Sequence, residues 1–369
     1  MSKLEASQYG LEIGTPDLKS IGPITFSPDG ILFVADNLSA TVFAIDLGDV
    51  ETGYGPAPID IDNLDTRLAS YLGCSREEIF IRDMAVNPVS QRVYLSVMRG
   101  TGNAGIPLLI EVEPDGSVAE VELAGVPFSQ TTIADAPSED DTRLTGRVLA
   151  DTDTSEGEER EARGTTIRIV RESLRSATVT DLAYVDDVLI VAGASNEEFC
   201  STLRRIPFPF SGDQSTSSLE IFHVSHGKYE TASPIRSFAV YGEGILASYT
   251  CTPVVHFSLD DIKSGAQAKG RTVAELGSMN TPIDMLSYTR DGEEFLLVAN
   301  TRHPLMKIAA RDVARQEPLT APQEPLGVPR EDLPQSGVNR LASRNGDVLM
   351  LQRDEEGKLA LRSYDTATL

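Results

Sequence analysis

From Ile24 to Leu47 the chain reads ITFSPDGILFVADNLSATVFAIDL, three apolar runs separated by polar turns. Ser27-Pro28-Asp29-Gly30 lies between the first two runs. Proline presets φ for a tight turn and glycine accepts positive φ, so the flanking runs fold back as a hairpin. The same grammar returns as MAVNPVSQRVYLSVMR from Met84, LAYVDDVLIVAGAS from Leu182, FAVYGEGILASYT from Phe238, LSYTRDGEEFLLVANT from Leu286 and LASRNGDVLMLQRD from Leu341. The copies start at 24, 84, 182, 238, 286 and 341, at intervals of 60, 98, 56, 48 and 55 residues. A propeller blade uses about 40–50 residues. The pattern therefore predicts an all-β, six-bladed β-propeller of four-stranded antiparallel blades, forming a single domain over residues 1–369, with an insertion in the long interval.

One such unit is too small to bury both faces of its sheet, so its stability must come from packing against neighbouring sheets. The last copy offers three strands, ending in KLALRSYD, while YGLEIG near the start has no partner of its own. Tyr9 to Gly14 is accordingly expected to close the ring as the outer strand of the last blade, removing exposed edges. Two segments break the rhythm. In Asn63 to Ile79, Leu64, Leu68, Tyr71 and Leu72 fall at helical spacing and Ser75 to Glu78 forms a capping-box pattern, which predicts one or two short helices. Residues 135–164 are rich in Asp, Glu, Thr, Ser and Gly and are expected to form a solvated, mobile acidic loop.

Charge narrows the partners. Among 369 residues, 32 Lys and Arg face 56 Asp and Glu, a net charge of −24. Nucleic acid and anionic membranes need a clustered basic face, so neither is an expected partner. No apolar run approaches the roughly 20 residues of a spanning helix, which predicts a soluble protein. MSKLEASQYG carries no apolar leader, so cytoplasm is the expected compartment, or the periplasm or exterior if a signal peptide has been removed. Cys74, Cys200 and Cys251 are odd in number and widely spaced, arguing against a disulfide framework and a thiolate zinc site.

The F-S-P-D-G…F-V-A-D…V-F-A-I-D pattern between Phe26 and Asp46 resembles the bacterial six- and seven-bladed propellers of the NHL, YncE-like and gluconolactonase-like groups. HGKYETASPIR at His226 to Arg236, SYTCTP at Ser248 to Pro253 and VAELGSMNTPIDM at Val273 to Met285 also resemble an uncharacterised bacterial propeller family. The resemblance implies a fold rather than a reaction. With no tryptophan, the chain lacks the tryptophan-docking motifs of quinone-dependent dehydrogenase propellers, the W-D dipeptide and the kelch Trp.

Local motifs read as structural. Gly100-Thr101-Gly102-Asn103-Ala104-Gly105 matches G-x-G-x-x-G but precedes the strand-like IPLLIEVEPDG, whereas a dinucleotide site needs a helix there. Asp151, Asp153, Ser155 and Gly157 resemble a calcium loop, yet Glu156 and Ala162 stand where glycine and a bidentate acid belong. Ser225 and Lys228 fit S-x-x-K, in a strand and hairpin rather than on a helix. His223 and His226, three apart, would face opposite sides of a regular strand and so could not share a metal. No PQQ, NAD or haem signature is present.

Aligning the copies gives a stronger constellation. Before their first apolar residues stand Gly22-Pro23, Arg82-Asp83, Thr180-Asp181, Arg236-Ser237, Asp284-Met285 and Asn339-Arg340. After their second strands come Asp36-Asn37, Arg99, Asn196-Glu197, Thr250-Cys251, Asn300 with Arg302-His303, and Gln352-Arg353. In a propeller these positions converge at one channel mouth. Arg82, Asp83, Arg99, Asp181, Asn196, Arg236, Asp284, Arg302, His303 and Arg340 thus form either a polar ligand pocket or a set of charges paired across blades.

Two function classes follow. One is a non-catalytic binding or scaffold propeller holding a small ligand or protein partner. The other is a metal-assisted hydrolase, lactonase- or esterase-like, resembling the gluconolactonase group. There a divalent cation such as Ca2+ would sit on Asp181, Asp284, Asn196 and Asn300, with Arg236 or Arg340 orienting the substrate.

Overall fold

A computed structural model describes residues 9–50, 57–101, 104–150, 157–162, 165–250, 253–277, 279–321 and 326–369. Among the described residues the architecture is all-β, with antiparallel sheets that are mostly four-stranded. Each sequence copy supplies the first strands of one sheet. Sheet I opens with Ile24–Phe26, Ile31–Asp36 and Thr41–Asp46, and sheet II with Ile79–Val86, Val93–Arg99 and Ile106–Val112. Sheets III, IV, V and VI open with Asp181–Val185, Ile235–Tyr241, Pro282–Arg290 and Val338–Arg344.

The second strands are the least exposed elements: every residue of Ile31–Asp36 and of Gly244–Tyr249 is buried. A strand apolar on both faces fits packing between two neighbouring sheets, where each fully buried large side chain contributes about 1.5–3 kcal/mol. Separate hydrophobic clusters join sheets I with II, II with VI, VI with V, V with IV, IV with III, and III with I. The first strands touch in the same cyclic order, I–II–VI–V–IV–III–I. Spatial order therefore departs from chain order by an interchange of sheets I and II.

The outer strands explain the interchange. After Asp46 the chain reaches the far edge of sheet VI, where Asp60–Ile61 pairs with Leu361–Arg362, and then builds sheet II. It returns as Val126–Thr132 to become the fourth strand of sheet I. The expected role of Tyr9 to Gly14 is corrected accordingly. Glu12–Gly14 pairs with Val126–Phe128 on sheet I, because the edge of sheet VI is already taken by Asp60–Ile61. Leu11 is buried between sheets I and III, and Tyr9 stacks on Phe208 with ring centroids 5.7 Å apart.

Between Ile61 and Ile79, helix Leu64–Leu72 is followed by a 3-10 turn, Arg76–Glu78. The Ser75 N–H donates to Glu78 Oε2 at 2.9 Å. The 135–164 stretch is corrected where it is described: Leu144–Val148, Glu158–Ala162 and Thr165–Ser173 form a three-stranded antiparallel sheet. Its acids are matched across strands, Glu159 opposite Arg168 and Glu161 accepting from Thr166 Oγ1 at 2.6 Å, which offsets the charge that favours a solvated loop. Residues 151–156, carrying most of the calcium-loop resemblance, lie outside the described residues.

One glycine position has a large expected effect. A Cβ on Gly193, in the second strand of sheet III, would meet the Thr178 carbonyl oxygen at 2.1 Å. That neighbour is backbone and cannot swing aside, so Gly193→Ala is expected to lower stability by about 1–3 kcal/mol, read as an unfolding midpoint in urea. An unchanged midpoint would mean that the segment carrying Thr178 moves aside without cost.

Candidate functional site

A cavity of about 590 Å3 is lined by residues from the first strands of sheets I to VI, Asp83, Asp181 and Asp284 among them. Register breaks aim the side chains at its end. The pairing slips between Ile81 and Asp83, Ile235 and Ser237, Pro282 and Asp284, and Val338 and Arg340. Such a bulge bends the strand and redirects the next side chain. In sheet III the Thr180 N–H donates to the Ala192 carbonyl, which also faces Asp181; in sheet I Gly22 donates to Ala35, whose own N–H donates to Pro23. Equivalent positions around the cycle are therefore Pro23, Asp83, Arg340, Asp284, Ser237 and Asp181, with an acid on alternate sheets. The bulge also places Asp284 level with Asp83, one residue away from the alignment of copies.

All three aspartates do the same thing. Oδ1 accepts from the next residue's N–H: Met84 at 2.8 Å, Leu182 at 2.8 Å and Met285 at 2.7 Å. Oδ2 accepts from the first strand of an adjacent sheet: Ile24 at 2.8 Å, Phe238 at 2.8 Å and Leu341 at 2.7 Å. The bridges run II to I, III to IV and V to VI, the same rotational sense each time. Each carboxylate is a clamp between two sheets.

Enclosure nevertheless pushes all three carboxyls up. For Asp284, raised to about 7, burial comes first and the Asp83 charge second, with Arg340 and the Leu341 and Met285 amides opposing. For Asp83, burial again leads, with Arg340 and the amides opposing. Asp181 is raised well above its ordinary value by burial and by the charges of Asp284 and Asp83, against the Phe238 amide and Ser237 hydroxyl. Arg340 Nε stands 3.5 Å from Asp83 Oδ1 and donates at 2.9 Å to the Arg82 carbonyl.

The other residues expected at the mouth serve elsewhere. Arg236 donates to Thr250 Oγ1 at 2.7 Å, Thr145 Oγ1 at 2.6 Å and the Gly146 carbonyl at 2.7 Å, anchoring the inserted sheet; burial pulls it down to about 10. The Val148 N–H, donating to Thr281 Oγ1 at 2.9 Å, ties the same sheet to sheet V. Arg82 lies over the Phe80 ring at 5.6 Å, and Arg99 reaches the Leu72 carbonyl at 3.2 Å. Arg302 folds back so that its N–H donates to Asn280 Oδ1 at 3.1 Å. His303 is held below its ordinary pKa by burial and by Arg330 and Arg302, against Asp332 of the outer strand.

The structure does not gather the four residues of the expected metal set around one cavity. Asn300 is buried, accepting from Asn280 Nδ2 at 2.8 Å and donating to the Val298 carbonyl at 2.9 Å. Asn196 is exposed, its N–H donating to the Asp135 carbonyl at 2.7 Å. Neither lines the cavity with Asp181 and Asp284. Asn300 ends the second strand of sheet V, and Asn196 lies in the turn after the second strand of sheet III.

A second polar cluster forms where a regular strand would hold His223 and His226 on opposite faces. Ser215–His223 ends at His223, so the strand does not remain regular through His226. In the turn, His226 and Gly227 N–H groups both donate back to the His223 carbonyl, at 3.2 and 2.9 Å, with Gly227 at φ +63°. The two imidazoles consequently meet at a tilt of 38°, centroids 3.9 Å apart. Both Nδ1 atoms meet one carboxylate: His223 lies 3.0 Å from Glu230 Oε2 and His226 2.9 Å from Oε1. Burial opposes charge on His223, but Glu230 and Glu275 outweigh it and hold the imidazole up at about 9. Burial likewise works to raise Glu230, yet the two histidines bring it down to about 2.

No family model and no curated protein matches the chain. Among solved structures it is similar to the Malassezia sympodialis allergen Mala s 1, at 12% identity and TM-score 0.42, covering 85% of this chain and 98% of that one. A β-propeller domain from Myceliophteria thermophila aligns at 11% identity and TM-score 0.37, over 93% of this chain and 83% of that one. The PQQ-bound aldose sugar dehydrogenase from Streptomyces coelicolor aligns at 12% identity and TM-score 0.37, over 96% and 97%. Among the described residues, no helix is long and apolar enough to cross a membrane.

Proposed function

We propose that the chain is a six-bladed binding propeller, one domain with the blade order I–II–VI–V–IV–III, whose aspartate-lined channel holds a small cationic ligand. The observation that carries this reading is the alternation of Asp83, Asp181 and Asp284 around the axis, with both oxygens of each already bound to backbone N–H groups. Carboxylates pinned in this way are preorganised to attract charge and poorly placed to move as a nucleophile or general base. Burial comes first in raising all three carboxyls, with the neighbouring aspartates adding to it for Asp181 and Asp284, and a bound cation offsets the cost of charging them. The hydrolase alternative is less favoured, because it draws on Asn196 and Asn300, which do not line the cavity with Asp181 and Asp284.

Ca2+ is the first probe, since the oxygen lining suits a hard ion. Added to chelator-stripped protein, it is expected to raise the melting temperature saturably, by the equivalent of about 2.7 kcal/mol at a hundred times Kd. Asp181→Asn should remove the rise and remain folded. A melting temperature indifferent to Ca2+ and to small organic ammonium ions would overturn the channel reading.

A further inference from the structure

We propose that His223, His226 and Glu230 form a binding site for Zn2+, with Glu275 as the outer carboxylate that orients His223. The site lies away from the channel, where the fourth strand of sheet III, Ser215–His223, turns into the short strand Lys228–Glu230 beside the last strand of sheet IV, Arg271–Glu275. The donor atoms of the three ligands all fall within 4.8 Å of one another. Two imidazoles and a carboxylate are a set that Zn2+ takes readily, at about 2.0–2.2 Å per bond, so adjacent ligands in a tetrahedron stand about 3.3–3.5 Å apart. The two His–Glu separations, 3.0 and 2.9 Å, are made to different Glu230 oxygens and open by about half an ångström, while the set as a whole, within 4.8 Å, draws in around one ion.

The surroundings are those of a metal centre rather than of an isolated ion pair. His223 Nε2 lies 3.1 Å from Glu275 Oε1, and Glu275 is fully buried. A metal-bound imidazole characteristically presents its other N–H to such a carboxylate, which fixes the tautomer and strengthens the ligand. Glu275 is itself held by Ser225 Oγ at 2.9 Å. His223 Nε2 and Glu275 Oε2 are buried and have no directed hydrogen bond among the described residues. His226 is 45% exposed, which opens the fourth coordination position to water. Lys228 Nζ, 3.4 Å from Glu230 Oε1, is the group the metal would displace. Two nitrogen ligands favour Zn2+, Co2+ or Ni2+ over Ca2+ and Mg2+, which separates this site from the channel.

The test is a Co2+ titration of the chelator-stripped full chain, followed in the visible spectrum and reversed with Zn2+. One equivalent of Co2+ should give the intense bands of a tetrahedral ion, and one of Zn2+ should bleach them. His226→Ala, altering an exposed side chain, should abolish the bands with the melting temperature of the metal-free protein unchanged. Glu275→Gln should keep the bands and weaken affinity by about 10–100-fold. Absence of the bands in the unmodified protein overturns the proposal, as does their persistence in both His226→Ala and Glu230→Gln.

Discussion

Arg204→Ala should destabilise the protein by about 3–5 kcal/mol, the usual cost of removing one partner from a buried ion pair. Arg204 is completely buried in the third strand of sheet III. Its Nε donates to Asp135 Oδ1 at 2.6 Å, Nη1 to the Thr178 carbonyl at 2.9 Å and Nη2 to the Ala194 carbonyl at 2.8 Å. Burial lowers its pKa while Asp135 opposes the shift, so the charge persists because its partner is in place. Asp135 follows the returning strand of sheet I, and Thr178 precedes the first strand of sheet III. The guanidinium therefore fastens the passage between two sheets that are neighbours in space but separated in the chain by sheet II. Truncation strands three acceptors, one of them charged. The check is the urea midpoint at unchanged slope, with Asp135→Asn/Arg204→Met beside the single variant. The double variant should recover part of the loss, because it leaves no buried charge unpaired. A single-variant cost below about 1 kcal/mol would mean that water replaces the arginine without penalty.

What could be read in the sequence is what is local. Hairpins such as Ile24 to Asp36 announce themselves by turn chemistry and apolar runs, and each copy does begin one sheet. The aspartates at the copy starts were visible for the same reason. Sheet order was not: Asp60–Ile61 and Val126–Thr132 join sheets whose other strands lie far away in the chain, and two- to seven-residue segments carry no mark of their partner. Arg99, Arg302 and Asn300 share an aligned position with the mouth, yet the turn after each second strand has its own path, which alignment does not encode. His223 and His226 failed for a different reason. The period-two rule holds within a strand, and here the strand stops on the first histidine. A glycine one residue after His226 was the available signal, since positive φ at Gly227 is what folds the turn back.

The aspartate triad should give stability an unusual slope with pH. Asp284 binds its proton with a pKa of about 7 in the folded chain, against 3.8 for an unperturbed aspartate. A carboxyl raised in this way carries more protons folded than unfolded between those values. Its contribution is complete below the unfolded value and is lost as pH climbs through about 7. Asp83 and Asp181 are shifted in the same direction. Carboxyls that are lowered, Glu230 among them, have the opposite sign, but theirs is lost as pH falls from about 4.5 towards 2 and leaves the neutral range untouched. The experiment is the difference in unfolding free energy between the unmodified protein and Asp284→Asn, measured at pH 5 and pH 8.5, so that every other titration common to both cancels. At pH 5 the variant should be the weaker by about 1–3 kcal/mol, because its amide can accept from only one of the Leu341 and Met285 N–H groups. At pH 8.5 the unmodified protein carries the charge that its neighbours repel, and the gap should close or reverse, a change on the order of 3 kcal/mol. A gap that stays constant across the range would show that channel water screens the three carboxylates from one another, and the electrostatic argument for a cation on the axis would fall with it.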